Sequence, residues 1–532
     1  MATAPKLTGA PVEQHRAESH KWLVALAVML GATLEVLDTS IVNVALPHMQ
    51  GSFSASVDEI TWVLTSYLVS NGIMIPLTGW ISARFGRKRY FMISVVVFVF
   101  ASGLCGAAQT LTQMVVFRLI QGAAGAAMIP SSQAILMETF PPAEQGLAMA
   151  TWGVGLMVAP VLGPTLGGWI TDNWNWRWNF YINLPIGSLA ALMVYWFVHD
   201  PSYLGGRNRT NRRIDWLGML YLTLGLGLLQ IVLDRGQRAD WFHSAWVCYF
   251  TAGSIAAIVI MFWHELHFPD PVLDLTIMKI PVFNASVLTI MAMVMILYGT
   301  NLLNPLFLQN LLGYDAWKAG VAVAPRGIGT LVTMLMVGQL SRRGVDMRPF
   351  VGVGFAIVAY ATWMMGHWDL QVNMWSLAWP IILSGAGSGL IFPTLSATTL
   401  SCVEKERMGF AASLYNMMRN TGSAIGISLV TNLLNSREQT HQAYLVQHFS
   451  VFDAWRMSQQ APRMPGAPVF NFAQELATNQ KQGLGMVYQS IQAQASLLAY
   501  NDIYRGLAIL AVIFIPSFMM LKKATGGGGA AH

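Results

Sequence analysis

Apolar runs long enough to cross a bilayer follow one another along nearly the whole chain, separated by short clusters of glycine, proline and charge. Fourteen such runs fall near 22–46, 60–81, 90–108, 113–135, 146–170, 178–198, 214–233, 245–264, 282–303, 317–340, 350–366, 375–399, 408–434 and 503–521. An even number of crossings puts both termini on one side. Loops on that side hold the basic clusters Arg84/Arg87/Lys88/Arg89, Arg207/Arg209/Arg212/Arg213 and Arg342/Arg343/Arg348. Along this topology 19 of the 31 Lys and Arg residues fall in the two tails and the inner loops, a bias that marks the side as cytoplasmic.

Composition agrees: 54% of the residues are hydrophobic, only 11% are charged, and the mean hydropathy is +0.49. A soluble globular protein of 532 residues has no use for so much apolar surface, whereas a polytopic membrane protein does. The basic pI near 9.2 orients the chain and implies no nucleic-acid partner. The first run follows a polar tail without a small-residue cleavage site, so it reads as a retained span. Cys105, Cys248 and Cys402 show no pairing pattern.

One outer segment, 435–500, is too polar to span. It reads as two amphipathic helical stretches, roughly 437–459 and 472–498, split by the breaker Ala-Pro-Arg-Met-Pro-Gly-Ala-Pro at 461–468. It is either a solvated insertion or a docking surface. The resulting organisation is a cytoplasmic tail (1–21), a six-helix bundle (22–198) and two linker helices with cytoplasmic loops (199–281). Five helices of a second bundle (282–434), the outer segment (435–500), a last helix (501–521) and a Gly-rich cytoplasmic tail (522–532) follow.

A weak internal repeat ties the bundles together. An offset of 263 residues aligns Gln121-Gly-Ala-Ala-Gly-Ala-Ala-Met-Ile-Pro130 with Ser384-Gly-Ala-Gly-Ser-Gly-Leu-Ile-Phe-Pro393, and pairs Gly146 with Gly409 and Gly163 with Gly426. Gly79-Trp-Ile-Ser-Ala-Arg84 similarly matches Gly338-Gln-Leu-Ser-Arg-Arg343. Two related halves around a central site form a transporter plan.

Among the 25 carboxylates, Glu35 and Asp38 are the pair that sits well inside a span. Spaced i, i+3 they share a helix face, so one desolvated site can hold both, and intramembrane carboxylates mark proton, ion or substrate pathways. Arg118 opposes them: at about 1.5 Å rise per residue it lies roughly 7 Å from the outer end of span 4, against roughly 12 Å for Asp38 in span 1. Contact or a bridging water is within reach, either for coupling or as a structural tie. Arg118 has Ile381 at the aligned place in the second half, so this charge belongs to one half. Arg419 lines a cavity or else binds backbone carbonyls or snorkels, and for Arg326, nearer a span end, carbonyl binding or snorkelling is the reading. The Met and aromatic content suits an adaptable pocket or plain packing. Tyr67, Asn71, Tyr298, Asn301, Asn304, Tyr415, Asn416 and Arg419 are the candidate substrate contacts, since aromatic and amide groups at depth need partners or a cavity.

Several segments are similar to one known family. Leu37-Asp-Thr-Ser-Ile-Val-Asn-Val-Ala-Leu-Pro47 resembles the first-span motif of fourteen-span drug:proton antiporters of the major facilitator superfamily. The gating-loop motif is matched by Gly79–Arg89, with Gly79, Arg84, Gly86, Arg87 and Lys88, although Ala83 stands where an Asp is usual. Phe117-Arg118-Leu-Ile-Gln121-Gly122 resembles the fourth-span motif, and Pro160, Gly163, Pro164, Gly167 and Gly168 the antiporter motif of span 5. Trp176–Gly187, Leu233-Asp-Arg-Gly236 and Ala324-Pro-Arg-Gly327 extend the likeness to EmrB-type inner-membrane efflux subunits. The resemblance implies an all-α integral membrane protein of the major facilitator fold, with 14 transmembrane helices as two six-helix bundles plus two helices between them. It also implies proton-driven export of hydrophobic drugs across a bacterial inner membrane, with Asp38 and Arg118 inside matched motifs; Glu35 lies outside the family's core motif, and its place with them as a coupling residue rests on its burial beside Asp38 alone. No cofactor is expected beyond the proton gradient. The expected partners are membrane lipid, an EmrA-like periplasmic adaptor and a TolC-like outer-membrane channel.

Rival classes find less support. A metabolite or siderophore exporter would use the same scaffold. A membrane enzyme or an ATP-driven pump lacks its signature: there is no GxxxxGK[ST] loop, and His264-Glu-Leu-His267 is one residue short of HExxH, so no metal is expected. A non-transporting sensor is a third class, which substrate-dependent proton flux would separate from the others.

Overall fold

The computed structural model describes residues 11–200, 215–268, 271–448 and 480–521. Within them the chain forms helices and no strands. The helices are α1 (Pro11–Phe53), α2 (Trp62–Phe85), α3 (Arg87–Ala107), α4 (Leu111–Gly125), α5 (Met128–Thr139), α6 (Gln145–Asn173), α7 (Asn183–Phe197), α8 (Trp216–Arg235) and α9 (Ala245–His267). There follow α10 (Pro281–Asn310), α11 (Ala316–Val323), α12 (Pro325–Arg342), α13 (Arg348–Met365), α14 (Met374–Ser401), α15 (Met408–His448) and α16 (Gln480–Phe514). α4 with α5, and α11 with α12, make two broken rods; α7 is preceded by the short helix Trp178–Tyr181. Fourteen rods result, and eleven of them are long and apolar enough to cross a membrane by length and hydropathy alone.

Local chemistry starts several rods. Thr110, Asp215, Asp315 and Asn373 cap α4, α8, α11 and α14, each accepting a backbone N–H three residues on. The N–H that Lys318 donates to Asp315 holds that carboxyl below the usual carboxylate range. Gly86 turns the chain between α2 and α3 at φ 98°, a conformation that suits glycine.

Packing repeats between the halves. α1 lies against α6 and α7, α2 and α3 against the α4 rod, and α3 against α7. In the second half α10 lies against α15 and α16, α12 and α13 against α14, and α13 against α16. Two seams join the halves, α2 on α15 and α6 on α12, so the packing follows the sequence repeat of spans 1–6 with 9–14. The remaining pair, α8 and α9, pack on each other, and α8 leans on α2 and α15, covering one seam from the side. At that seam Thr65 donates to Asp234 at 2.5 Å.

The segment beginning at 435 differs from its sequence reading. α15 runs 41 residues without a break and α16 runs 35, so each continues a span beyond the roughly 30 Å hydrocarbon layer. No breaker separates Leu434 from His448, and Asn435–Gln442 is compatible with helix once water is available. The two extensions pair: Ser496 donates to Glu438 (2.5 Å), Gln442 to Tyr488 (3.0 Å), and His441 bonds Asp502 (2.9 Å). The stretch 449–479, the Arg207–Arg213 cluster and the Gly-rich tail lie outside the described residues.

Candidate functional site

Asp38 is fully buried in the first bundle. Its Oδ2 accepts from Arg118 Nη1 at 2.6 Å, and its Oδ1 accepts from Gln121 Nε2 (2.9 Å) and Asn183 Nδ2 (2.8 Å). Arg118, also fully buried, donates Nε to the Val63 carbonyl (3.1 Å) and Nη1 to Gln121 Oε1 (2.8 Å). Its guanidinium lies 4.2 Å from the Tyr67 ring centroid. Asn183 also donates to Ser102 Oγ (3.0 Å), which in turn donates to the Phe180 carbonyl (2.9 Å). One ion pair thus gathers α1, α2, α3, α4 and α7 into a buried knot. Gln121 sits one turn from Arg118 on the same face, a spacing visible in the sequence. Ser102 and Asn183 are neutral residues of distant spans, and Asn183 lay unmarked inside the Trp176–Gly187 motif.

Glu35 does not share this knot. It is buried and accepts from Asn71 Nδ2 at 2.9 Å, while its second oxygen has no hydrogen-bond partner. Arg419, from the opposite half, is among the charges that act on it. Arg419 is half-buried, 5.9 Å from the Phe392 ring centroid. Nearby, Asn416 crosses the seam to donate to Gln133 at 2.5 Å, and Trp152 stacks on Phe392 at 6.0 Å. Tyr415 is fully buried and bonds Ser396 Oγ at 2.9 Å. Of the eight candidate substrate contacts, Asn71 binds Glu35, and Asn416 and Arg419 lie across the seam on α15. Tyr67 belongs to the Asp38 knot.

Tyr298, Asn301 and Asn304 lie elsewhere, on α10 in the second half, where Asn301 meets Arg326. Arg326 is 8% exposed and does not snorkel. It donates to Asn301 Oδ1, to Thr300 Oγ1 (2.9 Å) and to Ser384 Oγ (3.1 Å). The reason is close packing: a Cβ on Gly385 would stand 2.1 Å from the Arg326 carbonyl oxygen, so α12 and α14 touch through their backbones and hold the side chain inward. Tyr504 donates to Asn304 at 2.7 Å. Tyr298 is 43% exposed.

The antiporter-motif glycines bring α6 onto α1 beside the knot. A Cβ on Gly163 would stand 2.4 Å from Ser40 Cβ, and one on Gly167 would stand 3.2 Å from Ile41 Cα. Gly168 is less tight, with Val44 Cγ1 at 3.7 Å. Pro160 is exposed on the same helix, and the Pro164 side chain lies outside the described residues.

The gating-loop residues join the halves at their basic ends. Arg87 is buried, ion-paired with Glu138 and donating to the Lys405 carbonyl of the other half at 3.2 Å. A latch thus forms although Ala83 replaces the usual Asp, because Glu138 supplies the carboxylate. Gly79 lies so close to α15 that a Cβ would stand 2.8 Å from Phe410 Cα, and at the second seam a Cβ on Gly146 would meet the Ser341 side chain. Lys88 donates to the Tyr195 carbonyl (2.7 Å), and Arg84 lies 5.4 Å from the Trp80 ring centroid. The two halves are therefore shut against each other on the basic face.

Two packed six-helix halves with charges buried inside them define a membrane transporter. Residues 28–427 match the Major Facilitator Superfamily model, and the chain belongs to that superfamily. It is similar to the multidrug export protein EmrB of Escherichia coli, with 34% identity over 96% of this chain and 98% of the relative. It is 33% identical to the fatty acid resistance protein FarB of Neisseria gonorrhoeae, over 96% of this chain and 97% of the relative. The proton:xylose symporter XylE shares the fold, with a TM-score of 0.58 at 15% identity, covering 95% of this chain and 97% of that one. The protein is accordingly a multi-pass membrane transporter.

Proposed function

We propose that this transporter is a proton-coupled multidrug exporter of the bacterial inner membrane, with both termini cytoplasmic. The near full-length similarity to EmrB supports drug efflux. The observation that carries the coupling is the Asp38–Arg118 pair, sealed from solvent and tied to five helices. A proton on Asp38 would remove the charge that Arg118 neutralises and one of the acceptors that hold Gln121 and Asn183. Because Gly163 and Gly167 bed α6 on α1 at Ser40 and Ile41, a shift of α1 passes to the α6–α12 seam.

Protonation from the outer side and drug from the cytoplasm or inner leaflet then favour opposite arrangements of the halves. One proton crossing 100 mV supplies about 2.3 kcal/mol, enough to bias such an equilibrium. The driving force is the gradient; no cofactor and no covalent chemistry enter, and the protein is not an enzyme in this reading. The paired ends of α15 and α16, with Tyr444 and Tyr488 exposed, support docking of an EmrA-like adaptor leading to a TolC-like channel. The test is export in vesicles under an imposed pH gradient: Asp38→Asn abolishes it, and full activity in that variant contradicts the coupling role.

A further inference from the structure

The run His264-Glu-Leu-His267 closes α9, and what it meets at the foot of the linker pair is Asp215, the cap of α8. His264 Nε2 bonds Asp215 Oδ1 at 2.8 Å, and the same oxygen accepts the Gly218 N–H, also at 2.8 Å. Glu265 Oε2 accepts the Leu273 N–H at 3.2 Å. The other two oxygens, Asp215 Oδ2 and Glu265 Oε1, have no hydrogen-bond partner, and both residues are more than nine-tenths buried. Both are aimed at Gly218: a Cβ there would stand 2.8 Å from Asp215 Cγ and 3.0 Å from Glu265 Oε1.

Two bare carboxylate oxygens turned to one place out of water do not stay ionised together. Asp215 is the charge that acts on Glu265. The other titratable groups beside the pair are His264, already bonded to Asp215, and Tyr221 of α8, whose ring lies 6.2 Å from that of His264. Among the described residues no lysine or arginine forms an ion pair with either carboxylate. A hard cation takes about six oxygens and only two are free here, whereas a proton needs two. Asp215 already has two groups bonded to its Oδ1, against one long N–H bond for Glu265, so Asp215 keeps the charge and Glu265 carries the proton.

This foot reaches the second half in two steps. Leu273, tied to Glu265, is followed by Asp274, which accepts from Arg407 Nε at 2.7 Å, with Thr276 also on that guanidinium. Arg407 belongs to the turn Lys405–Arg407, and the Lys405 carbonyl is the one that Arg87 of the first half holds. One turn on the basic face is thus gripped by the first half on one side and by the linker pair on the other.

We propose that Asp215 and Glu265 share one proton and that this proton locks the linker foot onto the second half. With the proton in place Glu265 donates to Asp215, stays packed on α8 and keeps Leu273 and Asp274 in position on Arg407. As pH rises the proton leaves to solvent, the two carboxylates repel, Glu265 turns toward water and Leu273 loses its acceptor. With the basic face cytoplasmic, as proposed above, the lock is a brake: an acid cytoplasm holds the inner side shut. The lock itself does not depend on the export reading, and its test needs no transport.

The test has two readouts on purified full-length protein lacking Cys105 and Cys248. Infrared difference spectroscopy between mildly acid and mildly alkaline pH follows the C=O stretch of protonated carboxyl groups. Wild type loses on alkalinisation a band that Glu265→Gln lacks, and Asp215→Asn, which still caps α8, moves that loss to lower pH. The second readout is Cys402, half-buried at the start of the turn that carries Lys405 and Arg407. At alkaline pH a thiol reagent labels it several-fold faster in wild type than in Glu265→Gln, and at acid pH equally in both. Comparing the two proteins at one pH removes the thiol's own titration. A band that Glu265→Gln leaves unchanged, a loss whose pH Asp215→Asn does not move, or equal labelling at every pH overturns the proposal. So does labelling slowed by Mg²⁺ in a wild type without the band, which makes the pair a metal site. Glu35→Gln and Asp38→Asn leave both readouts in place, so failure of proton coupling and failure of this lock are read separately.

Discussion

Glu35 and Asp38 stand one helical turn apart on α1 and share no hydrogen-bond partner. Asp38 turns into its own half, where its carboxylate is bound by Arg118, Gln121 and Asn183. Glu35 lies nearer the seam, with one oxygen on Asn71 and the other unpartnered. A single acidic site in the sequence is two sites in the fold, and their variants should differ in kind.

Replacing Asp38 is costly to the fold. Asp38→Asn leaves Arg118 buried without its charge and brings one amide nitrogen toward the donors of Gln121 and Asn183. Breaking a buried pair from one side costs about 3–5 kcal/mol. The expected outcome in thermal unfolding of the purified protein is a marked loss of stability for Asp38→Asn. The double variant Asp38→Asn/Arg118→Gln recovers most of that stability while remaining inactive in coupled export.

Glu35→Gln is isosteric and keeps an oxygen for Asn71, so its stability should stay within about 1 kcal/mol of wild type. The charge facing Arg419 is lost. Fewer protons should therefore be released per drug molecule bound, measured in weakly buffered detergent solution with wild type alongside. An unchanged ratio removes Glu35 from the coupling scheme.

What the sequence made legible was whatever one helix or one repeat carries. The spans, the halves and the matching depths of Asp38 and Arg118 follow from hydropathy, the offset repeat and helix rise. The continuity of α15 and α16 did not follow, because the polar composition after Leu434 reads as helical stretches separate from the spans, although nothing between 434 and 448 breaks the helix. Arg326 was hidden for another reason: beside Pro325 it looks like a span end, and the backbone contact at Gly385 that turns it inward is a property of two helices. Ser102 and Asn183 contribute a hydroxyl and an amide, which carry no signal of their own until folding places them on a carboxylate.

The shut basic face makes a separate prediction. Gly79→Val puts a branched side chain where even a Cβ would stand 2.8 Å from Phe410 Cα, and backbone cannot yield as a side-chain tip can. The variant should be driven out of this arrangement. Ser131, buried beside this interface, becomes the probe as Ser131→Cys in a background without Cys105, Cys248 and Cys402. An impermeant thiol reagent applied from the basic side should label it several-fold faster with Gly79→Val than without. Equal labelling would mean that the halves do not part there.

Proton release on drug binding tests the central claim most directly. Purified wild-type protein in weak buffer should release protons when a hydrophobic drug is added, because drug and proton favour opposite arrangements of the two halves. The double variant Asp38→Asn/Arg118→Gln, with its fold retained, should bind the drug and release fewer protons, the share carried by Asp38 being lost. Release at the wild-type level from that variant would contradict the assignment of coupling to the Asp38–Arg118 pair.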